Sequence, residues 1–393
     1  MSEDEKQVPG RVAAEDYRRQ RQEADYGRDS FAKEAREGFH EYMKTGRDRM
    51  IKLARPYTSS EQEAEALADK VMKEVTTADI SQYDDPTGSR VIKDIVSKID
   101  KACAECKIPM REGVVVGVSV TSGLHAYQSE VLATDASIID FAIPFLSFCN
   151  QVAILVTRLL SHSRSEDEKV INCDPECVRV LLANDNIMLA IWSELIAHYA
   201  IEGQMMKLPR LPIDNERLST RVSILYSMEL FAVAHEYGHH VLMHGVVESS
   251  SPSGDGTAME HDADTFARMI SMVIGCLSEP PNAFATSGVG AVLMLGALEL
   301  VRRARHVLET GNTAFPPRKI HPPFHERIIR IGEFDSFAPE EFHEQYSAMR
   351  KDFFDIVQVI WAAVEPVMLG MHHVGGVKLS PREEARVDWL SLI

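Results

Sequence analysis

Ala232-Val233-Ala234-His235-Glu236-Tyr237-Gly238-His239-His240-Val241 is the stretch on which the fold turns. Residues 222–234 lead into it as a largely apolar run, and Val241, Leu242 and Met243 follow, so the segment reads as a helix buried on most sides. At about 100° per residue, His235, Glu236 and His239 fall within one arc of roughly 100°. Two imidazoles at i and i+4 can grip one metal ion from the same side. The Glu236 carboxylate then points beside the ion, where a water would sit and could lose a proton to it. The bland alternative is a pair of core histidines bonded to carbonyls and a glutamate in an ion pair. Unpaired buried charge is expensive, and a metal supplies the compensation that three ionisable groups on a buried helix need.

Composition narrows the setting. Hydrophobic residues are 45% of the 393-residue chain and charged residues 26%, an ordinary globular balance with room for two or three domains or one large helical body. A formal net charge of −17 argues against nucleic acid or an anionic membrane surface as the main partner. The acidic, polar start MSEDEKQVPG has no export-signal pattern, and six cysteines in so long a chain are no disulfide framework. The expectation is reduced thiols and a cytoplasmic protein. Cys103/Cys106 and Cys173/Cys177 could in principle join in a four-thiolate zinc site. However, the first pair ends a helical pattern, and Asp174-Pro175 reads as a helix N-cap and first helical position. Residues 141–157 carry no formal charge, but Pro144, Asn150 and Gln151 interrupt a run that is short for a membrane. A core helix is expected there, and no integral membrane span.

Residues 1–50 are dense in charge and make no long apolar stripe, which predicts a frayed arm or exposed helix and a candidate contact for a regulatory partner. Ser60-Glu61-Gln62-Glu63 is a capping-box pattern, continued at helical spacing by Ala64, Leu67, Val71 and Val75. Val91, Ile92, Ile95, Ile99 and Cys103 mark a second helix, and Val114-Val115-Val116-Gly117-Val118-Ser119-Val120 is the clearest strand. Residues 138–160 read as helical, as do a segment opened by Pro175 and residues 187–199. Lys207-Leu208-Pro209-Arg210-Leu211-Pro212 links to the motif helix. Residues 339–367 read as one long helix, with Phe342, Tyr346, Met349, Phe353, Val357, Ile360 and Val364 as its apolar stripe. His372 and His373 precede a Gly375-Gly376 hinge, and Ser380-Pro381-Arg382-Glu383 starts a short closing helix. The fold class is therefore mainly α (α+β). It divides into a charged arm (1–50), a helical accessory region with one strand (51–205), a catalytic core (206–335) and C-terminal helices (336–393).

A catalytic zinc usually takes a third protein ligand. The continuation that would place a third histidine one turn further on fails, because Leu242 and Gly245 stand where Gly and His are needed. His244 is rotated roughly 140° from His239 about the helix and is poorly placed. After the flexible stretch 245–257 come Glu260 and Asp264, at i and i+4 on one face of a second helix. Ala263 and Ala267 beside them are small enough to let that helix approach Gly238. Glu260 is the candidate third ligand, and Asp264 the candidate acceptor of a hydrogen bond from the far nitrogen of a liganding histidine. Thr257-Ala258-Met259-Glu260 is also a capping box, and His261 and Asp262 are rival ligands. Further on, His321 and Arg327 flank a helix start near Pro323, where they could steady an oxyanion.

His235-Glu236-x-x-His239, Glu260-x-x-Ala263-Asp264 and His321-Pro322-x-x-x-x-Arg327 together resemble, in order and local spacing, the gluzincin metallopeptidases of the CAAX prenyl protease and HtpX group. The likeness covers about residues 220–335. It implies a zincin-like helical core and one zinc per chain on His235, His239 and Glu260. It further implies that Glu236 activates water, that Asp264 orients a ligand, and that His321 and Arg327 assist at the oxyanion. Those families carry transmembrane helices, and none is expected here, so a soluble relative similar to the Lit-like phage-exclusion peptidases is nearer in character. That likeness implies an intracellular protein or peptide as substrate. The rival expectation is a catalytically silent metal-binding regulatory or interaction protein on the same scaffold.

Overall fold

The computed structural model describes residues 9–26, 37, 41, 45–55, 58–77, 81, 83–109, 111, 113–131, 134–164, 169–204, 216–244, 256–314 and 322–375. Among the described residues, helices α1 (Pro9–Tyr26), α2 (Arg47–Ala54), α3 (Glu61–Thr77) and α4 (Pro86–Glu105) precede a small sheet. Its strands are β1 (Val114–Ser119), β2 (Ala126–Glu130) and β3 (Ser137–Ala142). Then come α5 (Ile143–Leu159), an antiparallel pair β4 (Ser161–Arg164) and β5 (Lys169–Asn172), and helices α6 (Pro175–Asn184) and α7 (Asn186–Glu202). The second half is α8 (Leu218–Val241), α9 (Gly256–Leu277), the short α10 (Ala283–Thr286), α11 (Val289–Thr310), α12 (Phe324–Glu333) and α13 (His343–His373). The protein is mainly α with a three-stranded sheet, the expected class.

The sheet has order β1-β3-β2, with β1 parallel and β2 antiparallel to β3. Residues 138–142 do not begin a helix as expected; they are strand β3, and helix α5 starts at Ile143 with Pro144 in its first turn. The alternation explains why. Ile139 and Phe141 face the main core, while Ile138 packs with Val115 and Ala14 of α1 on the other face, and Asp140 receives Arg18 of α1. An apolar run of this length does not distinguish strand from helix by itself.

Local signals hold at several helix starts. Ser60 Oγ accepts from the Glu63 amide at 3.2 Å, while the Glu63 carboxylate takes the Ser59 amide at 2.8 Å. Asp174 caps α6 through the Glu176 amide, with Pro175 as first residue. Pro323 is the residue before α12. The link at 207–212 and the closing helix begun by Ser380 lie outside the described residues.

The expected arm is docked rather than frayed where it is described. Ala14, Arg18 and Gln22, spaced four apart, form a buried stripe of α1 on the sheet. Two of the three are polar, so no apolar periodicity announces the face.

One continuous core runs from Ile92 on α4 to Met368 on α13, and α8 lies inside it. Residues 227–240 of α8 are all buried, against α9, α11, α5 and α10. Its last turns therefore sit in packed surroundings that hold side-chain positions. Among the described residues, one helical stretch ending in α13 is long and apolar enough to cross a membrane, and the bent pair α6–α7 passes the same test of length and composition. A stripe of α13 that includes Phe353, Ile356, Val357, Ile360 and Val364 is buried, and α13 packs against α11, α6 and α7.

Candidate metal centre

Helices α8 and α9 are in close contact at Gly238. A Cβ there would stand 3.3 Å from the Ala263 Cα and 3.1 Å from the Phe266 ring, so hydrogen is the side chain that fits this contact without displacement. The contact sets Glu260 against His235 and His239. His235 Nε2 and His239 Nε2 lie 3.2 Å apart, and the Glu260 carboxylate straddles them with one oxygen 3.5 Å from each. One ligand atom from each of the three residues lies within 4.8 Å of the other two.

Each histidine turns its other ring nitrogen outward. His235 Nδ1 is 3.0 Å from Asp264 Oδ1 and donates to it, so Nε2 is the ring nitrogen that faces the centre. Asp264 is held in turn by Arg327, through Nε at 2.6 Å and Nη2 at 2.5 Å. The Arg327 Nη2 is also 3.8 Å from Glu260. His239 Nδ1 meets His244 Nδ1 at 2.8 Å. His244 is no ligand, as its spacing predicts, but it is the outer partner of one. Residue Met243 makes this possible: its φ of 57° is left-handed, so the chain folds back at the end of α8. A left-handed non-glycine residue is not a position that spacing arguments reach.

The site is deeply buried. His235, Glu236 and Asp264 have no exposed surface, and Glu260 and Arg327 are buried beside them. Burial lowers the His235 pKa, but hydrogen bonds to Asp264 and Glu260 outweigh it and hold the group at about 9. Burial, reinforced by the charge of His235, pushes His239 down to about 3. Burial would raise the Glu260 carboxyl, but the His235 hydrogen bond and the His235 and Arg327 charges hold it at about 2. Asp264 is likewise held well below the usual carboxylate range by Arg327 and His235 against its burial. The charge of Glu236 is felt by Arg327.

These residues fit a divalent metal. Two nitrogens on one tetrahedral zinc, each at about 2.0–2.1 Å, stand about 3.3 Å apart, and the two Nε2 atoms are 3.2 Å apart. Without a metal, one proton carried by His235 bridges the two Nε2 atoms; a divalent cation in the same place would be held by both lone pairs. Once a metal displaces the His235 proton, Glu236, Glu260 and Asp264 counted as ionised against Arg327 carry two excess negative charges, which one divalent ion would neutralise. A buried His-His-Glu group able to hold a metal ion is thus present on the residues expected, and Asp264 contacts a candidate ligand as expected. Thr257 lies inside α9, which begins at Gly256, and Glu260 faces the histidines.

Of the oxyanion pair, His321 lies outside the described residues. Arg327 is placed by α12, with two of its nitrogens on Asp264. The rival His261 is buried on α9 and Asp262 is exposed, and neither belongs to a ligand group. Among the described residues, His235, His239 and Glu260 form the one group of this kind, so the Cys103/Cys106 and Cys173/Cys177 pairs do not join in a second. His372 Nδ1 donates to the Leu308 carbonyl, at the far end of α11, and is no part of the centre. Comparison with protein-family models, curated proteins and solved structures finds no match to this chain.

Proposed function

We propose that this chain is a zinc-dependent endopeptidase of gluzincin type, with an intracellular protein or peptide as its substrate. The observation that carries the reading is the convergence of His235 Nε2, His239 Nε2 and Glu260 beside a fully buried Glu236. His235, His239 and Glu260 would hold the metal, which when bound supplies a Lewis acid for the attacking water and the scissile carbonyl. Zinc follows from the ligand types, two imidazoles and a carboxylate.

Glu236 is adjacent in sequence to His235 but turned about 100° from it around α8, so its carboxylate flanks the ligands rather than joining them. It accepts the proton of the water as the water attacks, then delivers that proton to the leaving amine. Asp264 fixes the His235 ring with its proton on Nδ1, and Arg327 fixes Asp264. In this reading Arg327, whose Nη2 is 3.8 Å from Glu260, would also lend positive charge to the oxyanion, a role shared with His321.

The test begins with the metal content of the purified protein and of Glu260→Ala. One zinc per chain, lost or much weakened in the variant, is expected. Peptide-library digestion followed by mass spectrometry then compares wild type with Glu236→Gln, which should keep its zinc and lose cleavage. A wild-type protein that takes up no metal when zinc is offered would sink the proposal. Zinc binding with no cleavage by wild type would favour the silent metal-binding protein instead.

A further inference from the structure

Arg268 continues the face of α9 that carries Glu260 and Asp264, at the same four-residue spacing. It has no exposed surface. Its Nη2 donates to Asp335 Oδ1 at 3.2 Å. That carboxylate is already engaged by Arg350, which donates Nη1 to Oδ1 at 2.8 Å and Nη2 to Oδ2. The same Arg350 Nη1 also reaches the Ser287 carbonyl at 2.7 Å. Two buried guanidiniums therefore share one carboxylate, and one positive charge is left over.

The excess charge comes with idle donors. Among the described residues, Arg268 Nε and Nη1 have no hydrogen-bond partner, and neither has the buried Ser271 hydroxyl three residues along α9. Burial, together with the Arg350 charge, lowers the Arg268 pKa to about 10, which still leaves it protonated at neutral pH. Buried donors of a charged group left unmade are costly, and native interiors rarely leave them so.

A third feature adds to the same spot. Gly288, at a φ of 82°, precedes the 22-residue α11 and gives it no side-chain cap. A Cβ on Gly288 would lie 3.1 Å from Arg268 Nε and 3.3 Å from the Ile331 side chain. The guanidinium is thus seated against the start of a long uncapped helix, whose first amides carry partial positive charge. Glycine at 288 is what lets the guanidinium come this close to the start of α11.

We propose that Arg268, the Ser271 hydroxyl and the N-terminus of α11 form an enclosed site for one small monovalent anion of halide size. Charge sets the valence: a single negative charge balances two arginines and one aspartate. Enclosure sets the size, because Arg268 has no surface to offer a larger ligand. Such an ion ties α9 to α11 and, through Asp335 and Arg350, to α13. The site stands apart from the metal and does not depend on the peptidase assignment.

Two measurements test it on the full chain. Crystals grown in bromide should show an anomalous peak beside Arg268 Nε and Nη1. Thermal unfolding at matched ionic strength should give a melting temperature a few degrees higher in chloride than in gluconate, which is too large for the site. Ser271→Ala should shrink that difference and Arg268→Gln should remove it. If Arg268→Gln does not fold, Ser271→Ala and the wild-type bromide map carry the test. Water density in place of bromide, or equal melting temperatures in the two salts for wild type, would overturn the proposal.

Discussion

The two histidines of the motif are supported by unlike partners. His235 donates to Asp264, a carboxylate pinned by a buried arginine, whereas His239 meets the neutral ring of His244. A carboxylate raises the basicity of its imidazole more than another imidazole can. Asp264 also compensates Arg327, so its loss has two consequences. In Asp264→Asn we expect metal affinity to fall about 10- to 100-fold, with some loss of stability as Arg327 loses its ionic partner. In His244→Ala we expect a smaller fall in affinity, about 10-fold, and little loss of stability, because no charge is stranded. Competition with a chromogenic chelator measures both. Equal effects would mean that the two outer partners are interchangeable, contrary to their chemistry.

At the scale of elements, the centre depends on how closely α8 and α9 pack. Gly238 faces the backbone of Ala263, three residues after Glu260. A single methyl group already presses on Ala263 and Phe266, and valine adds two more carbons where helical backbone rather than a movable side-chain end resists. In Gly238→Val we expect on the order of 1–3 kcal/mol of destabilisation and at least about a tenfold loss of metal affinity, since α9 must back away with Glu260 on it. Urea unfolding and chelator competition on the same preparation separate the two effects. Retained affinity would show that Glu260 reaches the histidines without this contact. The same pair of helices shows what sequence can carry. His235 with His239, and Glu260 with Asp264, are i,i+4 patterns, and the small residues between the helices are visible at 238, 263 and 267. Arg327 on Asp264 joins residues 63 apart, and no local spacing predicts which carboxylate a distant arginine will choose. His244 depends on the left-handed turn at Met243, and β3 on burial of both faces of a short apolar run. Local periodicity therefore points to the candidate ligands, while tertiary pairing supplies what holds them.

At the scale of the molecule, the N-terminal helix is fastened to the sheet by polar groups, not by an apolar stripe. Arg18 reaches Asp84 through Nη1 at 3.0 Å and Nη2 at 2.5 Å, and Nη2 also reaches Asp140 at 3.0 Å. Gln22 adds bonds to Asp84 at 2.7 Å and to Ser119 at 3.1 Å. Gly117 gives the guanidinium its bed, since a Cβ there would lie 2.3 Å from Arg18 Nη2. Burial lowers the Arg18 pKa, but the two carboxylates outweigh it and raise the group above its ordinary value. A buried pair of this kind adds little over an apolar replacement, yet breaking one side of it is costly because the other side is left charged. Arg18→Met strands Asp84 and Asp140, so we expect on the order of 3–5 kcal/mol of local or global destabilisation. Cleavage by trypsin at the exposed arginines of α1, such as Arg11 and Arg19, should then become much faster. Adding Asp140→Asn should recover part of the loss, because one of the two stranded charges is gone. Metal content should be unchanged in both variants, as none of the candidate ligands lies on α1. A double variant no more stable than Arg18→Met would mean that α1 is held by its Ala14 contacts and by Gln22, and that the buried charge is incidental to the docking.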